Sequence, residues 1–320
     1  ASVQQNWRRL RTELQAFAAL RGRNNISLAA FLHEQSIDLE DIYRDGARSG
    51  WTNLKRDAGL LTSPIDPNEE YLSRRFGDFQ HVDDFDRINT LLKVAESGAC
   101  YSPHTERERL LLQMLAYQID AQHHQIGTGE EFAARVQSSP DVRAELGELA
   151  GQLLAKCSMP RRPTPGLEDT PICLHASYTA REILTAVGWL RPDRRVPFQA
   201  GVLPLHDRKT ELLFVTLDKS EGYHDRIAYR DYAISAERFH WQSQNAAGPD
   251  TAGGRRYLES PTNGWKFQLF VRSKKADPYR ACGPVSLESA EGNRPMTVYW
   301  RMTTPLSLRL LQEFSVLREH

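Results

Sequence analysis

The chain has 320 residues, of which 40% are hydrophobic and 26% are charged, and its 41 Lys+Arg balance its 41 Asp+Glu. This composition is typical of a globular protein with room for two ordinary domains, and it excludes a disordered chain. The sequence has no run of about 18 apolar residues and no apolar segment near Ala1, which excludes a membrane-spanning helix and a signal peptide.

The distribution of charge and the spacing of the cysteines indicate which partners and which compartment to expect. Residues 1–170 carry 20 Lys+Arg against 25 Asp+Glu, whereas residues 171–320 carry 21 against 16. The basic second half favours contact with a polyanion on one side of the molecule. The four cysteines form no CxxC pair, which predicts reduced thiols in a cytoplasmic protein without a membrane partner. Because the chain does not begin with methionine, we expect a trimmed chain or a piece of a longer one.

Residues 1–158 are predicted to form a helical domain, beginning with a helical stripe of Leu10, Leu14, Phe17 and Leu20. Within it, residues 27–61 predict three short helices. Their spacing is compatible with a tri-helical unit of the helix-turn-helix type and also with a generic layer of packed helices.

Residues typical of the beginnings and ends of helices support this interpretation. Ser27 is the expected N-cap of the first short helix, Ser36 or Asp38 that of the second, and Gly59 is the expected stop of the third. Further helices are predicted from Val82 and over Glu106–Gln122, Glu130–Val136 and Val142–Cys157.

Residues 159–171 contain four prolines. Proline lacks the backbone N–H that helices and sheet ladders need, so this segment is predicted to be a connector.

Residues 172–320 are predicted to form a β-rich recognition domain. The fold class is therefore α+β, an N-terminal helical domain followed by a strongly bent β-sheet or small β-barrel domain with one or two helices. Helices are expected at Ala180–Val187 and Leu306–Leu317. Strands are predicted at Phe198–Leu203, Glu211–Leu217, Arg230–Ser235, Trp265–Arg272, Val285–Leu287 and Thr297–Met302.

Common catalytic motifs are missing from the sequence. It has no phosphate-binding G-x-x-x-x-G-K-[ST] loop, no H-E-x-x-H metal helix and no G-x-S-x-G nucleophile elbow. We therefore expect no catalytic activity in this chain alone, no cofactor and no metal. A metal-dependent nuclease that uses Asp218, Lys219 or Asp231 remains an alternative, because clustered carboxylates beside a lysine suit a hard cation.

The segment Phe239–Asn245 is unusual, since it packs two aromatic rings, one imidazole and three carboxamides into seven residues. Buried carboxamides need hydrogen-bond partners, which makes the segment a poor core strand. Aromatic faces that stack on a base and amides that reach base edges are the combination that nucleic-acid recognition needs. The alternative is that Trp241 fills the core while Gln242, Gln244 and Asn245 bond to loop backbone.

Several basic side chains nearby are candidates for neutralising phosphates. The full set of predicted nucleic-acid-binding residues comprises Phe239, His240, Trp241, Gln242, Ser243, Gln244, Asn245, Arg230, Tyr232, Arg255, Arg256, Arg272, Lys274 and Arg294. A structural ion pair between Asp231 and Arg294 is a further alternative.

One family has a similar order of motifs. The motifs are Tyr229-x-Asp-Tyr-Ala-Ile-Ser, Phe239-His-Trp-Gln-Ser-Gln-Asn, Gly254-x-x-Tyr257, Leu269-Phe-Val-Arg272, Gly292-x-x-Pro295-Met296 and Trp300. Over about residues 170–305 the sequence resembles the domain-of-unknown-function family 3427. That domain commonly forms the C-terminal region of bacterial superfamily 2 DEAD/DEAH-type helicases, often with a phospholipase-D-type nuclease domain. The motor and nuclease motifs of such proteins are absent from this chain, so neither activity is carried over.

The resemblance implies a role in restriction or phage defence, with DNA and the helicase and nuclease domains of the same or an associated protein as partners. The leading hypothesis is a DNA-binding specificity module that reads a specific or modified base, by analogy of architecture. The main alternative is a protein-interaction or autoinhibitory domain that docks on the helicase motor through exposed aromatic residues.

Overall fold

The computed structural model describes residues 3–44, 49–121, 124–217 and 231–315. The chain divides into two compact units. We call residues 1–160 with 181–195 the helical unit, and residues 161–180 with 196–320 the sheet unit. Within the described ranges, none of the helices is long and apolar enough to cross a bilayer.

The helical unit contains ten α-helices among its described residues, the last of which begins one residue before the unit boundary. They are α1 (Val3–Arg21), α2 (Leu28–Gln35), α3 (Leu39–Ile42), α4 (Trp51–Asp57), α5 (Pro67–Leu72), α6 (Phe85–Ala95), α7 (Glu106–Ile119), α8 (Gly129–Gln137), α9 (Pro140–Lys156) and α10 (Ala180–Ala186). The N-terminal helical half of the predicted α+β fold is therefore confirmed. Whether α2, α3 and α4 act as a tri-helical unit stays a prediction.

Polar side chains fix where many of these helices begin. The Ser27 hydroxyl accepts the Ala30 N–H at the start of α2, as predicted. Asp84 accepts the Arg87 N–H at the start of α6, and Thr105 and Glu108 form a reciprocal capping box on α7.

The predicted apolar stripe of α1 is correct for three of its four residues. Leu10, Leu14 and Phe17 are buried, whereas Leu20 is 88% exposed. A helix turns by about 100° per residue, which places Leu20 about 80° away from Leu10 around the axis. The stripe therefore ends at Phe17.

Buried ion pairs attach α10 to the other helices of its unit. Arg87 and Glu182 are both fully buried, with Arg87 Nη1 and Glu182 Oε2 2.5 Å apart. His81 contacts the other oxygen of the same carboxylate. A buried charge is tolerated only when it is paired, so these contacts specify how residues 181–195 pack. The predicted connector at 159–171 and the domain boundaries beside it stay predictions.

The sheet unit contains eight strands and three α-helices among its described residues. They are β1 (Ser177–Tyr178), β2 (Val202–Leu205), β3 (Thr210–Thr216), β4 (Tyr232–Ser235), β5 (Arg238–Gln242), α11 (Ala252–Leu258), α12 (Ser260–Asn263), β6 (Lys266–Arg272), β7 (Tyr279–Gly292), β8 (Met296–Met302) and α13 (Leu308–Phe314).

The strands form one mixed sheet in the order β2-β3-β6-β7-β8-β5-β4, and β1 pairs with the first residues of β7. β3 and β6 are parallel and all other pairs are antiparallel. The predicted alternative of a small closed barrel is wrong, because β2 and β4 remain the two edges of the sheet in the part of the chain that the structure describes.

Aromatic residues fill the concave side of the sheet. The Phe267 and Trp300 ring centroids lie 4.8 Å apart, and Trp241 and Trp300 lie 6.1 Å apart. Tyr257 of α11 meets the ring of Trp241 edge to face at 5.3 Å. One buried cluster contains residues of every strand from β3 to β8. The sheet is strongly bent, because residues of β3 and β5 line one hollow although a flat sheet would hold these two strands four strand spacings apart.

Asp120, at the end of α7, is fully buried and held by four donors. Its carboxylate accepts hydrogen bonds from the Gln125 and Ile126 N–H groups at 2.9 and 2.8 Å, from Arg195 Nη1 at 2.9 Å, and from the Tyr71 hydroxyl. Burial would raise the pKa of Asp120, but the hydrogen bonds from Tyr71, Ile126, Arg195 and Gln125 more than offset this, so the pKa lies below its usual value. The folded state therefore favours the ionised carboxylate.

Replacing Asp120 tests this link between charge and folding. We expect Asp120→Asn to lower the free energy of unfolding by about 3 kcal/mol at pH 7, because Arg195 loses its buried partner. A carboxylate with a depressed folded-state pKa contributes stability above about pH 3.9, its unfolded-state pKa, and that stability is lost as the pH falls through the folded-state value. The difference between wild type and variant should thus shrink in acid, as measured by urea unfolding at several pH values.

The matched control is Asp193→Asn, which removes a 73% exposed carboxylate that pairs with Arg191 in the same unit. Exposed ion pairs contribute little, so this variant should change stability by less than about 1 kcal/mol at any pH. Equal effects of the two variants would contradict the conclusion that the buried, ionised carboxylate of Asp120 stabilises the fold.

Candidate functional site: a pocket at the end of the bent sheet

The unusual segment begins as strand β5, whose side chains alternate between two faces of the sheet. Phe239 is 0% exposed and Trp241 only 4% exposed, and both belong to the aromatic core. His240 and Gln242 lie on the opposite face and are half-buried. This alternation corrects the expectation that the whole segment faces a ligand, because a strand turns every second side chain inward. Phe239 is part of the core, and we leave it out of the candidate site.

The chain leaves the strand at Ser243, which is buried and tied to the start of β8. The Ser243 N–H donates to the Met296 carbonyl at 2.9 Å, and the Met296 N–H donates to Ser243 Oγ at 2.9 Å. The hydroxyl also donates to the Ala247 carbonyl at 3.1 Å. These bonds fix the turn that presents Gln244 and Asn245 at the surface.

A pocket of about 390 Å³ lies beside this turn. One wall comes from β2, β3, β6, β7 and the residues before β2, and consists of Gln199, Ala200, Gly201, Val202, Phe214, Val215, Thr216, Arg272 and Tyr279. The other wall comes from β5 and its flanking residues, and consists of Asp231, Trp241, Gln242, Ser243, Gln244 and Asn245.

The bend of the sheet creates this pocket. Three strands separate β3 from β5 in the sheet, yet residues of both strands line the same hollow. A Cβ atom on Gly201 would lie 3.7 Å from Gln244 Nε2, which shows how closely the two walls approach.

The pocket contains one carboxylate and one guanidinium. Asp231 is 5% exposed, and its Oδ1 accepts the Gln242 N–H at 2.8 Å. Arg272 Nε donates to Thr216 Oγ1 at 2.8 Å, and its guanidinium carbon lies 4.4 Å from the centre of the Tyr279 ring. Burial raises the pKa of Tyr279, while the charge of Arg272 opposes that rise. Both a donor and an acceptor of fixed position therefore border the hollow.

The other predicted arginines and the lysine are not gathered at the pocket. Arg256 pairs with the fully buried Glu211 at 3.0 Å on the concave side of the sheet. Burial raises the pKa of Glu211, and Arg256 counteracts this rise. Arg256 therefore has a structural role, which corrects its assignment to phosphate.

Arg294 Nη2 donates to both carboxylate oxygens of Asp250, at 2.6 and 2.7 Å. The suggested ion pair between Asp231 and Arg294 is therefore wrong, because Arg294 pairs with Asp250 instead. Arg255 is exposed and donates to the Asp250 carbonyl, and Lys274 is exposed in the turn after β6.

Tyr232 and His240 belong to a second feature, on the face of the sheet opposite the core. The His240 ring stacks on Tyr232 at 4.8 Å and meets Tyr299 edge to face at 5.3 Å. The three residues are direct neighbours across β4, β5 and β8. We call Tyr232, His240 and Tyr299 the aromatic row.

Two sets of predicted residues lie outside the described part of the chain. They are Arg230 and the candidate nuclease residues Asp218 and Lys219. Among the described residues, no three His, Cys, Asp or Glu side chains are placed to hold a metal ion. The nuclease alternative stays a prediction.

Sequence reasoning missed the wall of the pocket built from Gln199–Val202, Phe214, Thr216 and Tyr279. No local signal identifies these residues, since they reach the pocket only through long-range bending. The alternation of Arg238–Gln242, by contrast, is visible in the sequence and would have placed Phe239 and Trp241 in the core.

Comparison with known families matches part of the chain to a family whose function is not assigned. Residues 172–314 match the model of the family described as "Domain of unknown function (DUF3427)". The match runs from just before β1 to the end of α13, so the predicted resemblance is confirmed for this segment. A search of curated proteins finds no match to the chain.

Gly248, in the turn beside the pocket, packs closely against Gly254 of α11. A Cβ on Gly254 would lie 1.8 Å from the Gly248 carbonyl oxygen. We expect Gly254→Ala to lower the free energy of unfolding by about 1–3 kcal/mol, because the backbone of α11 or of the turn must move. Thermal and urea unfolding measure the change.

Gly253→Ala is the matched control, because it lies in the same helix. Its Cβ would meet only Arg256 Nη2, at 3.7 Å. Since alanine is favoured over glycine in helices by about 1 kcal/mol, this variant should be neutral or slightly stabilised. Similar losses in both variants would contradict the packing argument.

Proposed function

We propose that the sheet unit is a DNA-binding specificity module that accepts one extruded base in the pocket. The observation that supports this proposal is the lining of the pocket, where an indole, a phenol and carboxamides surround a hollow with Arg272 on one side and Asp231 on the other. We further propose, from the family resemblance, that the module works with the helicase and nuclease domains of a restriction or phage-defence system.

The size of the pocket suits one small planar group. Ligand sites typically measure about 300–1,000 Å³, and this pocket lies near the lower end of that range. A concave site of this kind cannot reach a base inside a duplex. An enzyme or reader that uses such a site extrudes the base from the stack.

The mixed charge of the lining favours a base over an anion. A nucleobase presents hydrogen-bond donors and acceptors on one edge, and arginine, carboxylate and carboxamide groups are the side chains that match them. A pocket for phosphate alone would not place the buried carboxylate of Asp231 in its wall, because like charges repel.

A gel-shift or fluorescence-anisotropy experiment on the full chain tests the proposal. Plain duplexes are compared with duplexes that carry a methylated or otherwise modified base, at fixed low salt because such affinities depend on salt. We expect one modified duplex to bind more tightly than its plain counterpart. Absence of binding to any duplex or single strand at low salt would reject the proposal.

Gln244 and Asn245 are exposed and Arg272 is half-buried, so changes to these pocket residues should leave a folded chain. The double variant Gln244→Ala, Asn245→Ala and the single variant Arg272→Ala should each weaken binding of the preferred duplex about tenfold, since one good base contact contributes about 1–3 kcal/mol. They should also reduce the preference over the plain duplex. The corresponding controls are Gln312→Ala and Arg309→Ala, which change exposed residues of α13. If these controls have equal effects, the pocket is not where the base binds.

The aromatic row favours the alternative of a protein-interaction surface. Tyr232, His240 and Tyr299 are half-buried neighbours on the face of the sheet opposite the core, and tyrosines are frequent in interface hot spots. A test uses Tyr299→Ala rather than a change of Trp241, which would leave a cavity in the core. Loss of assembly with the helicase motor, without loss of DNA affinity, would support this alternative.

A further inference from the structure

Arg272, in one wall of the pocket, is held by contacts on two sides. It is the last residue of β6 and pairs with Thr216 of the parallel strand β3. Its Nε donates to Thr216 Oγ1 at 2.8 Å, and its guanidinium carbon lies 4.4 Å from the centre of the Tyr279 ring. The first contact uses Nε and the second uses the flat face of the guanidinium, so neither uses the terminal nitrogens Nη1 and Nη2.

These two terminal nitrogens are available to a ligand. Within the described ranges, neither forms a hydrogen bond or an ion pair, and neither is closed off from solvent. Arg272 lines the pocket of about 390 Å³. It differs in this respect from Arg256 and Arg294, whose terminal nitrogens are bound to carboxylates.

The groups that hold Arg272 are fixed in their turn. Tyr279 is buried and meets the ring of Phe214 edge to face at 5.3 Å. Thr216 is the last residue of β3. A guanidinium that is oriented before binding loses little conformational entropy when it binds, which favours a ligand that needs defined geometry.

The free part of Arg272 defines the chemistry of that ligand. Two neighbouring N–H groups match two hydrogen-bond acceptors that are neighbours on one edge of a planar group. Among the bases, guanine has such a pair in O6 and N7, and cytosine has one in N3 and O2. Adenine and thymine lack such a pair, since a donor or a C–H group separates their acceptors.

A phosphate also presents paired acceptors, but this pocket disfavours an anion. The buried carboxylate of Asp231 lines the same pocket as Arg272. Because like charges repel, a neutral base edge fits this lining better than a phosphate does.

We propose that Arg272 is the specificity-determining residue of the pocket and selects an extruded base with two neighbouring acceptors on one edge, and that Thr216 is its positioning residue. Guanine and cytosine share this chemistry, and the experiment separates them. The inference rests on the proposed function and deepens it, because it names the class of base that the pocket accepts.

Binding of four duplexes to the full chain tests the selection. The duplexes differ only in one base, which lies opposite an abasic site and is therefore easy to extrude. At fixed low salt, we expect the duplex with guanine or the one with cytosine to bind about tenfold more tightly than those with adenine and thymine, as one bidentate arginine contact provides. Replacing the preferred base by 7-deazaguanine or 3-deazacytosine, which each lack one of the two acceptors, should abolish the preference.

Arg272→Lys keeps the positive charge but removes the two-pronged donor. It should reduce the preference among the four duplexes about tenfold and leave the salt dependence of binding unchanged. Arg309→Lys makes the same change at an exposed position of α13 and should leave the preference intact. Full preference in Arg272→Lys would overturn the proposal, since a point charge would then be sufficient.

Two variants at one position test the role of Thr216. Thr216→Val keeps the shape of the side chain and removes the acceptor for Arg272 Nε, whereas Thr216→Ser keeps the hydroxyl. We expect Thr216→Val to lower the preference about fivefold, as for the loss of one hydrogen bond, and Thr216→Ser to retain it. A purely structural role of Thr216 would instead change the affinity for all four duplexes equally.

A titration with nucleosides judges the selection apart from DNA binding. Guanosine, cytidine, adenosine and thymidine are added to the full chain, and the side-chain Nε–H signal of Arg272 is followed by NMR. Guanosine or cytidine should shift this signal, and the other two should not. If no duplex binds but this response is seen, the proposed function fails and the base selection stands. Equal responses to all four nucleosides, with equal affinities for all four duplexes, would overturn the selection by Arg272 even if DNA binds.

Discussion

The candidate pocket depends on the bending of the sheet around its aromatic core. Trp241, Tyr257, Phe267 and Trp300 are all buried and linked to one another by a chain of ring contacts, and they come from β5, α11, β6 and β8. Each large ring removes much apolar surface from water only if the strands wrap around it. That wrapping carries the edge region of β2 and β3 towards the end of β5, and the pocket is the space left between them.

The same constraint explains which polar groups reach the pocket. Because side chains alternate along β5, packing of Phe239 and Trp241 inward sends His240 to the opposite face. The turn at Ser243 then breaks the alternation, and its two hydrogen bonds with Met296 hold Gln244 and Asn245 at the rim. A rigid turn lowers the conformational entropy lost when these amides bind a ligand.

The sequence predicts local features well and long-range ones poorly. The cap at Ser27, the position of β6 and the order of a helical half before a β-rich half follow from residue patterns. The full length of β7 does not, since its second half, including Ser286 and Glu288, is exposed and lacks the apolar residues that mark a strand. The pairing of Glu182 with Arg87 and the second wall of the pocket likewise arise from contacts between residues far apart in the chain.

The charges that line the pocket suit one physical task better than another. Asp231 and Arg272 place opposite charges in one pocket, which suits selection among neutral bases but adds little net attraction for DNA. A pocket with this lining alone would supply selectivity rather than affinity, because its two opposite charges largely cancel.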